Sequence, residues 1–328
     1  MKWIYILFSF VIMGAFSSCY DEKALTPTED GEGMSRYEFP QGTNSWDKDI
    51  EEIAEKFNVY LIYKDFKHAD FNRSWSGGGI SSEYYGEDLS DEYAEASTRF
   101  MKEHVFAYLN EKILPKVLPM YYYMVYDFHT VWEFPSIPGF PPFPPIITPI
   151  RDYDEGLDFW VICLIGEDPD PDGLGIADEE KIDFPTTKED FFGRRGEVLK
   201  NILFKSCEKG NIEVPAGFET GFDYKTAIVS NDWELENENH YWKRGFPGRM
   251  GLFWNGFSVL YSIGDTNNAK NFMDYICFGM YYSTEELDEL YPRTDYPLLR
   301  EKRDFVVNYL KTTYGVDLEA INEGPEIN

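Results

Sequence analysis

Histidine and cysteine are scarce in this sequence of 328 residues, which contains only four of each. The histidines stand apart, so no two have the one-turn helical spacing of paired zinc ligands; they are His68, His104, His129 and His240. No Cys-x-x-Cys pair occurs, so a zinc ribbon and a dithiol redox motif have no support. We expect the three cysteines beyond the N-terminus to be small buried side chains, with their pairing left open; they are Cys163, Cys207 and Cys277.

Basic residues are also few, with 30 lysines and arginines against 59 aspartates and glutamates. Removing residues 1–18, which contain Lys2 and no acidic residue, changes the formal charge from −29 to −30. So acidic a surface repels nucleic-acid phosphates and anionic lipid head groups, which excludes nucleic acid as a direct partner. Aromatic residues make up 18% of the chain, far more than a disordered acidic chain contains. The composition therefore predicts a folded, acidic, aromatic-rich protein.

Only one long hydrophobic run is present, Trp3 to Phe16, and it is shorter than a membrane-spanning helix requires. Lys2 precedes it, and Ser17, Ser18 and Cys19 follow. This pattern resembles a bacterial lipoprotein signal, in which residues 1–18 are removed and Cys19 carries the lipid. An ordinary cleaved signal peptide is the alternative. Membrane lipid, reached through Cys19, is therefore an expected partner.

Residues 19–44 are polar and acidic and predict a flexible tether. Asp21 and Glu22 are similar to the acidic residues that direct some Bacteroidetes-type lipoproteins to the outer face of the outer membrane. We expect an outer-membrane lipoprotein, displayed at the surface or otherwise facing the periplasm. No linker divides residues 45–321, which we interpret as one domain, and residues 322–328 form a tail.

The segment Thr187–Gly210 has the strongest helical pattern in the chain. Thr187 and Asp190 have the spacing of a capping box, and Gly210 suits the left-handed position after the helix. Eight side chains recur at steps of three and four residues and predict one buried stripe. They are Phe191, Phe192, Arg195, Val198, Leu199, Ile202, Leu203 and Ser206.

Other patterns predict a helix from Ser45, a strand over 59–66, a helix over 90–113, strands over 120–132 and 157–165, and helices opening at Thr266 and Asp295. His104 lies on the apolar face of the second helix, where we expect a hydrogen-bonded core histidine. The proline-rich segment 133–149 cannot join a sheet centrally.

Several strings, taken in order, resemble the zinc-binding metallopeptidase lipoproteins of Bacteroidetes, the substrate import-associated zinc metallohydrolases. The resemblance spans residues 44–321. It rests on SWDKDIEEIAEKFNVYLIYKDF, Pro215, Phe218, Tyr224, Asp232-Trp233, Arg244-Gly245-Phe246 and DFVVNYLKTTYGVDLEAI. The resemblance implies an α+β, zincin-like fold with N-terminal helices, a mixed β-sheet and a mainly helical C-terminal half. It also implies a genomic and physical neighbourhood with outer-membrane nutrient importers.

The family's signature is HExxH followed by Ile-Leu-His on the helix after the last core strand. Aligning Ile202-Leu203 places Glu197 and Asn201 at the two histidine positions. The alternative register keeps Glu197 as the base and places Gly196 and Lys200 at those positions. Neither register supplies an imidazole, so the resemblance implies a member that lacks HExxH, and zinc is not expected.

Near the family's downstream acidic motif the chain retains one acid, Asp274. Glu197, Asn201 and Asp274 are therefore the candidates for a degenerate site, and the resemblance implies that they lie near one another.

Three functions follow from this sequence. The first is a non-catalytic peptidase homologue that binds a peptide or glycan, or assembles with importer proteins. The second is an active hydrolase, zinc-dependent or with a relocated site such as an acid pair or Cys/His. The third is a glycan-binding module whose tryptophans stack on sugars. The tryptophans considered for this role lie in loops or at element edges; they are Trp75, Trp132, Trp233, Trp242 and Trp254.

Lipidation predicts that Cys19→Ala leaves the protein unprocessed or releases it from membranes. Membrane fractionation and metabolic labelling with a fatty acid measure this, with Cys207→Ala as the matched control. Unchanged membrane partition and lipid labelling in Cys19→Ala would contradict lipidation at this residue.

Overall fold

One long central strand organises the β-sheet. The structure is a computed structural model and describes residues 36–72, 83–133, 144–171, 181–229, 233–248 and 268–326. The strands are β1 Tyr60–Ile62, β2 Glu83–Glu87, β3 Tyr121–Trp132, β4 Ile146–Pro149, β5 Asp152–Tyr153 and β6 Phe159–Ile165. The first half of β3 pairs in parallel with β1 and β6, and its second half pairs antiparallel with β2 and β4. β5 pairs antiparallel with β6.

A bulge divides the two halves of β3. Its register with β6 shifts between Val125 and Tyr126, and Asp127 has a φ of 50°. The extra residue changes the alternation of side chains. Tyr123 before the bulge and Phe128 after it consequently both pack against Phe71.

Eight α-helices lie in the described ranges. They are α1 Ser45–Phe57, α2 His68–Phe71, α3 Asp91–Phe100, α4 Lys188–Glu208, α5 Asn268–Tyr281, α6 Thr284–Leu290, α7 Pro297–Tyr309 and α8 Leu318–Glu323. The expected mixed sheet and mainly helical C-terminal half are confirmed. By contacts, Met1–Glu38 and Phe39–Asn328 form two units. Among the described residues, no helix is both long enough and apolar enough to cross a bilayer.

Helix α4 begins and ends as its sequence predicts. The Asp190 backbone N–H donates to Thr187 Oγ1 at 3.1 Å, and the Thr187 N–H donates to the Asp190 carboxylate at 3.0 Å. Gly210 has a φ of 74°. Six of the eight side chains of the predicted stripe are buried, and Phe191 and Phe192 are half-buried. Arg194 and Lys200 are buried as well, because the sheet, the α3 region, α5 and α8 pack against this helix.

Three other segments differ from their predicted bounds. The strand expected over 59–66 is limited to β1. The helix expected over 90–113 is α-helical only to Phe100, continues as a π-turn over Met101–Val105, and ends in a short 3-10 turn. Within the proline-rich segment, Ile146–Pro149 pairs with the outer half of β3. Prolines are tolerated there because this strand does not lie in the centre of the sheet.

The face of α7 that packs inward is more polar than its sequence pattern predicts. Phe305 is 36% exposed, whereas Lys302 and Arg303 are buried. Arg303 pairs with Glu319 of α8 at 2.8 Å, and the Lys302 ammonium lies over the Phe222 ring. Specific partners for the two cations thus override the apolar pattern.

Arg195 joins α4 to two other parts of the domain. It is 2% exposed and donates to the carbonyl oxygens of Ile321 and Asn322 at 2.7 and 3.1 Å. Its third bond is to His104 Nδ1 at 3.0 Å, so His104 is neutral, with Nδ1 as acceptor. His104 is thus a hydrogen-bonded core histidine, as predicted. Burial, helped by the charge of Arg195, lowers its pKa to about 4.

This neutral histidine predicts a pH-dependent loss of stability. Between pH 6.5, its usual pKa, and about 4, the unfolded chain takes up a proton that the folded chain does not. At pH 7 the histidine is neutral in both states, so this proton uptake does not affect stability. At pH 5 it lowers the free energy of unfolding by about 2 kcal/mol. His104→Gln should remove this part of the pH dependence of the free energy of unfolding. Urea unfolding at pH 7 and pH 5 measures that dependence.

His129→Gln is the matched control. Burial lowers the pKa of His129, but its hydrogen bonds to Asp127 outweigh burial, so the net shift is upward. His129 therefore stabilises the fold more at pH 5 than at pH 7. His129→Gln should make the free energy of unfolding fall more steeply between pH 7 and pH 5, the opposite of the change in His104→Gln. An unchanged slope in His104→Gln would contradict the neutral assignment of His104.

Candidate functional site

A buried ion-pair network lies where α4 meets the edge of the sheet. Arg194 is 5% exposed and donates to both oxygens of Asp152 in β5, at 2.7 and 3.2 Å. The same guanidinium donates to Glu197 Oε2 at 2.7 Å, three residues further along α4. It also reaches the carbonyl oxygens of Arg151 and Cys163 at 3.2 and 3.3 Å. One arginine thus holds two carboxylates, the backbone of β6 and the backbone of the residue before β5.

The network keeps Arg194 charged. Burial by itself would lower the pKa of the guanidinium, but Asp152 first and Glu197 second raise it by more. Both carboxylates are partly covered, at 17% and 25% side-chain exposure, so water screens them only in part. Glu197 is therefore a partner of Arg194 and not a free carboxylate.

A cleft of about 400 Å³ opens beside this network. Its lining residues come from the β4–β5 connection, the segment before α4, and one face of α4. They are Thr148, Pro149, Ile150, Arg151, Asp152, Ile182, Glu197, Lys200 and Asn201. The structure thus brings Glu197 and Asn201 to one cleft, together with Lys200 from the alternative register.

Asp274 lies on α5, which packs against α4, and its side chain is buried. It is not among the residues that line the cleft. Burial raises the pKa of the Cys277 thiol well above its usual value; the charge of Asp274 raises it further, and that of Lys200 opposes the rise. Both charges are therefore near Cys277. The grouping of Asp274 with Glu197 and Asn201 stays a prediction.

The donors in the cleft do not suit zinc. Arg194 binds Glu197, Asn201 offers a neutral amide, and Gly196 has no side chain. Lys200 brings an ammonium to the same cleft, which repels a divalent cation. In the part of the chain that the structure describes, no three His, Cys, Asp or Glu side chains are placed to share a metal ion. The residues present therefore do not fit a catalytic zinc.

The three cysteines are poor nucleophiles. All are free thiols, and burial raises the pKa of Cys163 to about 11 and that of Cys207 to about 12. Cys163 Sγ accepts from the Phe128 N–H at 3.3 Å and donates to the Ile165 carbonyl at 3.2 Å, so it has a structural role. His129 Nδ1 is held by Asp127, 2.8 Å from its carbonyl oxygen and 3.1 Å from its carboxylate. A thiolate at neutral pH is not supported at any of these cysteines.

The candidate tryptophans have different environments. Trp233 is 84% exposed and Trp132 is 49% exposed. Trp242 packs edge-on against Tyr241 and Tyr291, and its Nε1–H donates to the Pro247 carbonyl at 3.1 Å. Trp75 and Trp254 lie outside the described residues.

No protein-family model and no curated protein matches this sequence. Among solved structures, the fold is similar to the crystal structure of a "putative zinc-binding metallo-peptidase" from Bacteroides caccae. The TM-score is 0.41 and the identity 11%, with 88% of this chain and 93% of that chain covered. The chain thus has a distant metallopeptidase-like structural neighbour. A likeness at this level says nothing about activity, so the function must be argued from the residues of this chain.

Sequence reasoning missed Arg194, which binds Glu197, and Asp152, the second carboxylate that Arg194 binds. One signal was present: Arg194 and Glu197 are three residues apart in a helix, a spacing at which opposite charges pair. Asp152 gives no such signal, because it is 42 residues away in the sequence.

The network predicts that Arg194→Met lowers the free energy of unfolding by about 3 kcal/mol, because two covered carboxylates lose their counter-charge. Chemical denaturation measures this. Lys205→Met, on the same helix, removes a more exposed pair with Asp154 and should cost about 1 kcal/mol or less. Adding Glu197→Gln to Arg194→Met should recover part of the loss. Equal costs for Arg194→Met and Lys205→Met would contradict the network's structural role.

Proposed function

We propose that this protein is a cell-envelope lipoprotein that binds a ligand in the cleft beside α4 and does not hydrolyse peptides. In this proposal it is a divergent, zincin-like member of the metallopeptidase lipoprotein family that has lost HExxH. The observation that carries the proposal is the contact between Arg194 and Glu197, at 2.7 Å.

The contact matters because of what a peptidase glutamate does. A general base must accept a proton from a water molecule, and in zinc peptidases the metal lowers the pKa of that water. Here the Glu197 carboxylate already accepts from a guanidinium that also binds Asp152. Freeing it would leave a cation buried with one partner fewer. The cleft is therefore better suited to binding than to hydrolysis.

The cellular setting comes from the N-terminal sequence. Cys19 would anchor the mature chain to membrane lipid, and the acidic tether after it favours the outer membrane. Outer-membrane importer proteins are the proposed partners, and a peptide or glycan is the proposed ligand.

A glycan-binding surface module is the second candidate. The observation that favours it is the exposure of Trp233 and Trp132, since a large exposed aromatic ring is a suitable platform for a sugar.

The proposal predicts that the purified full-length chain retains no stoichiometric zinc after dialysis and does not cleave peptides. The reason is that the cleft offers an engaged carboxylate, a neutral amide and an ammonium in place of three metal donors. Elemental analysis and a peptide-library assay measure the two properties.

Glu208→Ala is the control for Glu197→Ala in the same experiment, because Glu208 is an exposed residue on the same helix. About one zinc per chain, lost in Glu197→Ala and kept in Glu208→Ala, would overturn the proposal and restore a zinc enzyme.

A further inference from the structure

Lys200 is the exception among the buried cations of this domain. It is 8% exposed, lines the cleft, and makes no hydrogen bond or ion pair with any residue in the described ranges. The other buried cations all have hydrogen-bond partners; they are Arg194, Arg195, Arg300, Lys302 and Arg303.

The side chain of Lys200 is covered by the fold, but its Nζ is not one of the fully buried polar atoms, so the ammonium reaches the cleft. Its three N–H donors and its charge therefore have no protein partner there. A methionine of similar length would fill the same space without the charge. The fold thus places at the cleft a cation that has no hydrogen bond or ion pair with the described residues.

The neighbours of Lys200 offer further donors. The Asn201 amide and the Arg151 guanidinium also line the cleft, and neither side chain is bonded to another residue that the structure describes. Asp152 and Glu197 are present too, but both are bound by Arg194. Among the charged groups that line the cleft, counted together with Arg194, there are three cations and two anions; Asp274 does not line it. One positive charge in excess stands out in a chain of formal charge −29.

We infer that this cleft binds the carboxylate group of a ligand, with Lys200 Nζ as the principal donor and the Asn201 amide as a second. The inference rests on the proposed binding function and names its ligand chemistry. A single negative charge balances the single excess positive charge. A phosphate would bring a second negative charge next to Asp152 and Glu197, and a metal cation would be repelled by Lys200.

Two kinds of ligand carry such a carboxylate: the C-terminus of a peptide and a uronic acid. Calorimetric titration of the full-length chain distinguishes them. One arm compares N-acetyl-Ala-Ala with its C-terminal amide, and the other compares D-galacturonate with D-galactose. Inorganic phosphate is a third probe. In at least one arm the carboxylate should bind at least about tenfold more tightly than its neutral analogue, because a charge-assisted hydrogen bond is lost in the analogue.

Lys200→Met should weaken carboxylate binding by at least about tenfold, and Lys205→Met should leave it unchanged, because Lys205 is paired with Asp154 outside the cleft. The thermal midpoint of Lys200→Met without ligand should equal or exceed that of the wild type, because the ammonium has no hydrogen bond or ion pair with the described residues to lose. A clearly lower midpoint would show that Lys200 has a structural role and would overturn the inference.

Failure to bind either carboxylate, equal binding of the neutral analogues, tighter binding of phosphate, or unchanged binding in Lys200→Met would each overturn it as well. These results leave a zinc-free, inactive protein intact, so they are distinguishable from failure of the proposed function, which is stoichiometric zinc or peptide cleavage.

Discussion

The buried guanidinium of Arg194 is the constraint on which the cleft depends. A charge so well covered is tolerated only with matched partners, and Arg194 finds them in Asp152 of β5 and Glu197 of its own helix. Meeting that requirement fixes the edge of the sheet against α4 and removes Glu197 from the groups available for chemistry. The same hydrogen bonds thus hold the edge of the sheet and occupy Glu197.

The next residue extends this arrangement in another direction. Successive residues of a helix project about 100° apart, so Arg194 and Arg195 reach different neighbours from one turn of α4. Arg194 holds the sheet, whereas Arg195 holds the carbonyl oxygens of Ile321 and Asn322 and the ring of His104. Helix α4, which forms one side of the cleft, is therefore fixed to two neighbouring parts of the domain. Such fixing suits a preformed binding site more than a site that rearranges during turnover.

Local sequence was sufficient for some of this and insufficient for the rest. The ends of α4 were predictable because Thr187, Asp190 and Gly210 act within a few residues of themselves. The π-turn after Phe100 and the outward position of Phe305 were not, because both depend on what packs against those helices. The site followed the same rule: Glu197 and Asn201 could be placed by a motif alignment, and Arg194 pairs with Glu197 at helical spacing, but Asp152, the second carboxylate that Arg194 binds, lies 42 residues away in the sequence.

We propose that the hydrogen bond from Arg194 keeps Glu197 from binding a metal ion. The most direct test is diffraction from crystals of the full-length chain grown with zinc, recorded at the zinc absorption edge. We expect Arg194 within hydrogen-bond distance of Asp152 and Glu197, and no anomalous peak in the cleft. A zinc peak bonded to Glu197, with the Arg194 guanidinium turned away from it, would contradict the account.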